Sequence, residues 1–369
     1  MAFNSSDEGS NSTIVNDGIL RELNSYEMHR IAAPELLVMD RVITPIFYFV
    51  GLIGNPLSAK IWLSKKVRKS NSSAIYLGSI AIVHTIFICI HIWMELLQAW
   101  GIKTFNRPNL CEVFMVLAMT VQYLTPLLIL GFTFERFIAI CFPFLKAKVC
   151  TVRGAVYAVV WLTLFALAIG LLQAYLWSYN PFNDICDLRP GTVTFNSIWT
   201  WASEMLIFVG VPLTVLVFNI LVIREIKRMS VLTSSQGVDA GRGTNHTSTV
   251  TLLSVSFYLI CTLLPATIVF TIQSSIPYGN SMTPAYKWVN DESWAPYLTY
   301  YHIRRIIEEI CMSNYACYVF IYYATSTFFR ENVDKIYKYV CNIPRNNSDS
   351  SLSVVNAYRR PKHVVRSDV

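Results

Sequence analysis

Seven stretches of this chain run for about 20 residues with few charges, the length a helix needs to cross the hydrocarbon core of a bilayer. They fall at residues 43–63, 73–98, 113–134, 154–177, 205–223, 247–272 and 310–329. No run of alternating ten-residue strands marks a membrane β-barrel. Composition agrees: 54% of residues are hydrophobic and 14% charged, against about 25% charged in soluble chains. The net charge of +7 could suggest a nucleic-acid partner, but only with the basic residues gathered on one face. They lie instead in short clusters between apolar runs, so no nucleic acid is expected. The expected fold is all-α: a membrane-embedded seven-transmembrane helix bundle in a lipid bilayer.

Loop charge sets the expected orientation. Lys65, Lys66, Arg68 and Lys69 follow the first span, Lys146, Lys148 and Arg153 the third, and Arg224, Lys227 and Arg228 the fifth. The chain leaves the seventh with Arg330, Lys335 and Lys338, and the alternate loops are poorer in Lys and Arg. The positive-inside rule then predicts an extracellular N-terminus and a multi-pass protein. Residues 1–8 lack a basic region followed by an apolar core, so no cleavable signal peptide is expected and the first span serves for insertion. Asn4 and Asn11 begin glycosylation sequons in the predicted outer tail, while those at Asn71, Asn245 and Asn346 fall on the inner side and should be silent. The nine cysteines cannot all pair internally. Only Cys111 and Cys186 lie outside the spans on the side where oxidation is favoured. A disulfide between them would pin the second outer loop to the top of the third span.

The span ends carry motifs. Glu135-Arg136-Phe137 closes the third span, Pro143 follows Arg136 by seven residues and Cys111 precedes it by 25. With Gly54-Asn55, Trp161, Pro212, Pro265 and Tyr322 followed by Phe329-Arg330, the chain resembles the rhodopsin-like (class A) G protein-coupled receptors over about residues 40–341. The resemblance implies a non-enzymatic receptor of the plasma membrane with a heterotrimeric G protein as partner. It also implies a switch at Glu135, Arg136 and Tyr322, in which a carboxylate holds the guanidinium until the bundle opens. Domains follow: an outer tail 1–40, the receptor bundle 41–325, a short amphipathic eighth helix 326–341 and a disordered tail 342–369.

Several positions depart from the family pattern. Where its second helix carries an Asp, this chain has His84, and its Asn-Pro-x-x-Tyr motif reads Tyr318-Val319-Phe320-Ile321-Tyr322. No sodium site is expected, and His84 could exchange hydrogen bonds with tyrosine. Leu263 replaces the aromatic of the sixth helix and Ile220 a tyrosine of the fifth. Ala118 stands where amine receptors place an ammonium-pairing Asp, and Met312 where opsins place the retinal lysine. Monoamine and retinal chemistry are therefore excluded; no cofactor, metal cluster or catalytic constellation is expected.

A polar ring remains at the predicted outer end: Glu95 and Gln98 on span two, Gln122 on span three, Glu204 on span five, and His302, Arg304, Arg305, Glu308 and Glu309 near span seven. Ionisable groups inside spans are functional candidates because lipid exposure is expensive. Local pairing of Arg304 with Glu308 and Arg305 with Glu309 at i,i+4 spacing is the plain alternative. Arg304 and Glu308 share the helical face of Asn314 more closely than Glu309 does. The expected ligand-binding set is Glu95, Gln98, Gln122, Glu204, Arg304 and Glu308, with Trp93, Tyr123, Trp199, Trp201 and Tyr301 as aromatic walls. Acids among aromatics suit a cationic ligand, such as a short basic peptide. Wording such as Asn71-Ser72-Ser73 at span two is similar to invertebrate FMRFamide-like neuropeptide receptors, which implies an amidated peptide.

On the inner side, residues 229–246 form a short Gly/Ser/Thr loop. Cys341 is a palmitoylation candidate, the serines of 342–369 an arrestin-recruiting candidate once phosphorylated, and Ser367-Asp368-Val369 a candidate PDZ ligand. Competing readings are a peptide scavenger that does not couple, a small-molecule chemosensory receptor, and a secondary transporter, which would show a repeat.

Overall fold

The computed structural model describes residues 26, 30–31, 33–69, 71–182, 184–235, 243–277, 279–280 and 283–341. The two N-terminal sequons and the whole of 342–369, with Ser367-Asp368-Val369, lie outside them. The chain divides into two units, Met1–Ser326 and Thr327–Val369.

The first unit is a helical bundle. Helix α1 spans Pro34–Trp62, α2 Ser72–Gln98, α3 Leu110–Cys141 and α4 Val152–Gly170. Strands β1 (Trp177–Asn180) and β2 (Ile185–Leu188) form an antiparallel hairpin. Helix α5 comprises Val193–Glu204, a π-helical turn Met205–Gly210 and Val211–Ser235, and α6 spans Gly243–Ile272. Helix α7 runs Ala295–Ala316, breaks at Cys317 and resumes as Tyr318–Thr325. Among the described residues six helices, α1 to α6, are long and apolar enough to cross a membrane. The seventh begins 15 residues before the expected 310, because its charged half finds partners inside the protein. Likewise α1 begins at Pro34, inside the segment assigned to the tail, with proline at the first helical position where its missing N–H costs no bond.

Local chemistry explains the ends and bends. Asn71 caps α2, its side chain accepting from the Ser73 amide at 3.1 Å, and Thr151 caps α4 through the Gly154 amide at 3.0 Å. Pro212 has no N–H for the Phe208 carbonyl one turn back. The helix widens into its π turn there, and Thr267 of α6 donates its hydroxyl to that carbonyl at 3.2 Å. In a bilayer such freed carbonyls must be answered internally. Helices α3 and α4 meet at Gly170, where a Cβ would lie 2.4 Å from Thr120 Oγ1 and 3.2 Å from the Val116 carbonyl, so only glycine permits this approach.

The disulfide Cys111–Cys186 ties β2 to the first turn of α3, where Phe105, Phe114 and Met115 pack with Trp177. Between α6 and α7, Trp288 stacks on Trp294 at 4.0 Å, and both indoles donate to backbone carbonyls, of Thr283 and Asn280. This satisfies the one polar group each ring carries into burial.

The second unit is described only over 327–341. Helix α8, Thr327–Val340, repeats Phe329, Val333 and Ile336 at three- to four-residue spacing, an amphipathic stripe, and ends beside an exposed Cys341.

Candidate ligand cavity and helix-end switch

At the disulfide end the helices enclose a cavity of about 500 Å³. Its walls carry Gln98 of α2, Gln122 of α3, Glu204 of α5 and Arg304, Arg305, Glu308 and Glu309 of α7. Ala118 and Met312 also line it. Five of the six expected ligand residues thus share one cavity. Glu95 is not on its wall. Of the five aromatics expected to line it, only Tyr301 does; Trp93 and Trp201 are exposed elsewhere, and Phe87, Phe208, Phe270 and Tyr315 supply the rings instead. Helical phase decides this, and it becomes visible only once each helix's neighbours are known.

The charges of α7 pair differently from the i,i+4 expectation. Arg304 Nε donates to Glu308 Oε1 at 2.8 Å, as expected. Arg305, however, ignores Glu309: Nη1 donates to Glu308 Oε2 and Nη2 to Asp40 Oδ2 of α1, each at 2.7 Å. Glu308 therefore sits between two guanidiniums, and Asp40, fully buried, closes an alternating row of two cations and two anions. Glu309 turns toward α1, where Thr44 donates to its Oε1 at 2.7 Å. Nearby, Tyr48 and His91 Nδ1 are hydrogen-bonded at 2.9 Å. Arg41 donates twice to the Ala99 carbonyl at the end of α2, at 3.1 and 2.9 Å, and His302 pairs with Glu35. Asp40 lies before the expected first span, which begins at 43, and Thr44 and His91 are lone polar residues in apolar runs, which do not announce their partners.

Glu204 makes no hydrogen bond or ion pair with another described residue, though Arg304 lies within its electrostatic reach. Glu95 is 4% exposed, and neither carboxylate oxygen has a hydrogen-bond partner among the described residues.

The bundle's middle is neutral. His84 is wedged edge-on between Tyr315 and Tyr318, at centroid distances of 5.2 and 4.8 Å. It exchanges no hydrogen bond with them. The Tyr318 hydroxyl donates instead to Asn314 Oδ1 at 2.9 Å, and Asn55 Nδ2 to the Tyr315 carbonyl at 2.8 Å. Among the described residues no group of three or more His, Cys, Asp or Glu is arranged to hold a metal ion.

At the far end, Glu135 is buried and accepts from Ser72 Oγ at 2.6 Å. Its neighbour Arg136 reaches Asn71 Oδ1 at 3.4 Å and lies 5.8 Å from the Phe132 ring. The carboxylate is thus held by the first turn of α2 rather than by the guanidinium, contrary to the expected pairing. Tyr322 is buried on α7, edge-on to Trp62 at 5.6 Å.

A heptahelical bundle with a tied hairpin over a charged cavity and Glu-Arg at the opposite end defines a seven-transmembrane receptor. Residues 57–308, more than half of the chain, match the family model for the 7 transmembrane receptor (rhodopsin family), and the chain belongs to that family. It is a multi-pass membrane receptor and not an enzyme. Among its relatives, growth hormone secretagogue receptor type 1 of Sus scrofa is 27% identical over 233 residues, covering 58% of this chain and 61% of the relative. The Oryctolagus cuniculus receptor of the same name is 27% identical over 265 residues, 67% of this chain and 69% of the relative. The pyrokinin-1 receptor of Drosophila melanogaster is 24% identical over 151 residues, 41% and 35%. The chain thus spans 61% of the pig receptor's own length.

Proposed function

We propose that this protein is a plasma-membrane receptor for a short extracellular peptide and transmits to a heterotrimeric G protein. The carrying observation is the cavity of about 500 Å³ walled by acids, amides and arginines from four helices. A cavity of that size takes several side chains of a small ligand, and charges of both signs suit a peptide's own mixed chemistry. The relatives, named as receptors for growth hormone secretagogues and for a pyrokinin, support the same reading. Glu95, Gln98, Gln122, Glu204, Arg304 and Glu308 form the ligand set, Glu95 acting from behind the wall. Ligand binding shifts the bundle between two states. Glu135, Arg136 and Tyr322 form the coupling end, where release of Glu135 from Ser72 frees the end of α3 for the G protein. The N-terminus with Asn4 and Asn11 is extracellular, Cys341 carries palmitate, and the tail recruits arrestin and a PDZ protein.

The test is a screen of the expressed receptor against a panel of amidated peptides, reading nucleotide exchange and peptide uptake in the same cells. Exchange stimulated by one peptide class supports the proposal. Uptake without exchange would make the protein a scavenger, and exchange driven only by non-peptide metabolites a chemosensor.

A further inference from the structure

Charge matching within the cavity wall separates its acids into two groups. Asp40 and Glu308 are matched by Arg305 and Arg304 through three contacts of 2.7–2.8 Å, a closed and neutral row. Glu309 and Glu95 are not matched. Glu309 is 8% exposed and spends only Oε1 on Thr44, while its Oε2 has no partner among the described residues. Glu95 is 4% exposed with both oxygens unpartnered. The charged groups acting on Glu95 are Asp40 from α1 and Arg305, Glu308 and Glu309 from α7. The one cation among them is already committed to two other carboxylates. Tyr48 and His91, also packed here, are hydrogen-bonded to each other. Two buried carboxyl groups that act on each other and lack a counter-charge of their own are costly to ionise, so a cation that reaches them would be held by both.

The geometry points to a cation seat: Glu309, on the cavity wall, takes a guanidinium or ammonium group of the ligand, and Glu95 behind it supplies the second negative charge. This deepens the peptide-receptor reading and rests on it for the identity of the ligand, though not for the existence of the seat. A metal ion is the poorer occupant, since no three-donor group is assembled among the described residues, whereas an organic cation needs a single accessible carboxylate oxygen and the long-range charge behind it. Glu204, across the cavity, already lies in the field of Arg304 and is not the seat.

The test uses the purified full chain in detergent micelles with two matched probes, butylguanidinium and the uncharged butylurea, whose affinities are read from thermal stabilisation at near-neutral pH. Butylguanidinium is expected to bind at least about tenfold more tightly than butylurea. Glu309→Gln should erase that preference, Glu309→Asp should retain it, and Glu95→Gln should reduce it several-fold. Equal affinity for both probes in the unaltered receptor, as expected were the two carboxyls to share a proton instead, overturns the proposal. Loss of preference in Glu204→Gln but not in Glu309→Gln also overturns it. Should both Glu309 variants fail to fold, an unchanged preference in Glu95→Gln overturns it and a reduced one supports it. The two readings fail separately. Probe preference with no activating peptide leaves the seat and removes the peptide ligand. An activating peptide equally potent with citrulline in place of arginine does the reverse.

Discussion

The disulfide end and the middle of the bundle hold their buried polar groups by opposite means. At the disulfide end charged side chains join α1, α2 and α7: Arg305 bridges Asp40 of α1 and Glu308 of its own helix, and the Arg41 guanidinium of α1 donates to the Ala99 carbonyl at the end of α2. In the middle the same three helices meet through neutral contacts, with His84 among tyrosines and Asn55 on a backbone carbonyl. The resemblance implies an acid and an amide in that middle layer, and this chain has His84 and Tyr318 there. Its ionic contacts on α7 lie instead at Arg305 and Glu308, about three to four turns from Tyr318 toward the cavity. Ligand charge and helix packing therefore share one layer, and anything that rearranges Glu308 or Arg305 also loosens α1 from α7.

The sharpest way to break this comparison is to remove one partner of the buried row. Arg305 and Asp40 have side chains 12% and 0% exposed, so Arg305→Met leaves Asp40 and Glu308 as buried anions short of a cation. The expected loss is about 3–5 kcal/mol, read as thermal unfolding of the purified receptor in micelles. The double change Asp40→Leu with Arg305→Met should recover much of it, because a buried pair replaced by apolar side chains is often nearly neutral. A single change without measurable loss would mean that the row does not hold the helices.

A smaller effect is expected where a buried carboxylate has a neutral partner. Ser72→Ala deprives Glu135 of its hydroxyl donor, and loss of a hydrogen bond to a charged group costs about 1.5–3 kcal/mol. Because Ser72 holds the carboxylate beside Arg136, the same change should raise nucleotide exchange in the absence of ligand. Unaltered basal exchange would separate the Ser72 contact from the switch. In the middle layer, His84→Phe keeps ring volume and removes two nitrogens without hydrogen-bond partners among the described residues. It should cost less than about 1.5 kcal/mol. A loss as large as that of Arg305→Met would show that the neutral layer carries more than ring packing.

How much of this was legible beforehand follows from the range of each interaction. Helix number and the Cys111–Cys186 bridge are written locally, in runs of apolar residues and in compartment chemistry. The aromatic lining was not legible, because Trp93 and Trp201 differ from Phe87 and Phe270 only in helical phase relative to neighbours. Asp40 escaped notice because the apolar window opened at 43, although a buried Asp in the first span is the partner that lets charged α7 extend to Ala295. Glu135 shows the same limit: its partner Ser72 is 63 residues away, and the adjacent Arg136 was the nearer guess along the chain.

The smallest effect sets the scale for the ionic layer. Lys103 and Asp184 form an ion pair at the hairpin, with side chains 51% and 48% exposed, and Asp184 also accepts from the Tyr179 hydroxyl at 2.7 Å. The hydrogen bonds from Lys103, then from Tyr179, hold the Asp184 carboxyl below the usual aspartate range. A depressed carboxyl contributes stability above its unfolded pKa, about 3.9, and loses it as pH falls through the lower folded value. Lys103→Met should therefore lower the unfolding temperature slightly near neutral pH and not at all once Asp184 is protonated. Raising salt should shrink even the neutral-pH effect, since exposed pairs are screened over about 8–10 Å. Arg305→Met, measured in the same salt series, should show no comparable loss of effect, because the Arg305–Asp40 contact is buried and buried pairs are screened far less. Equal salt sensitivity in the two variants would place Arg305 and Asp40 in contact with solvent and remove the distinction between the two ionic pairs.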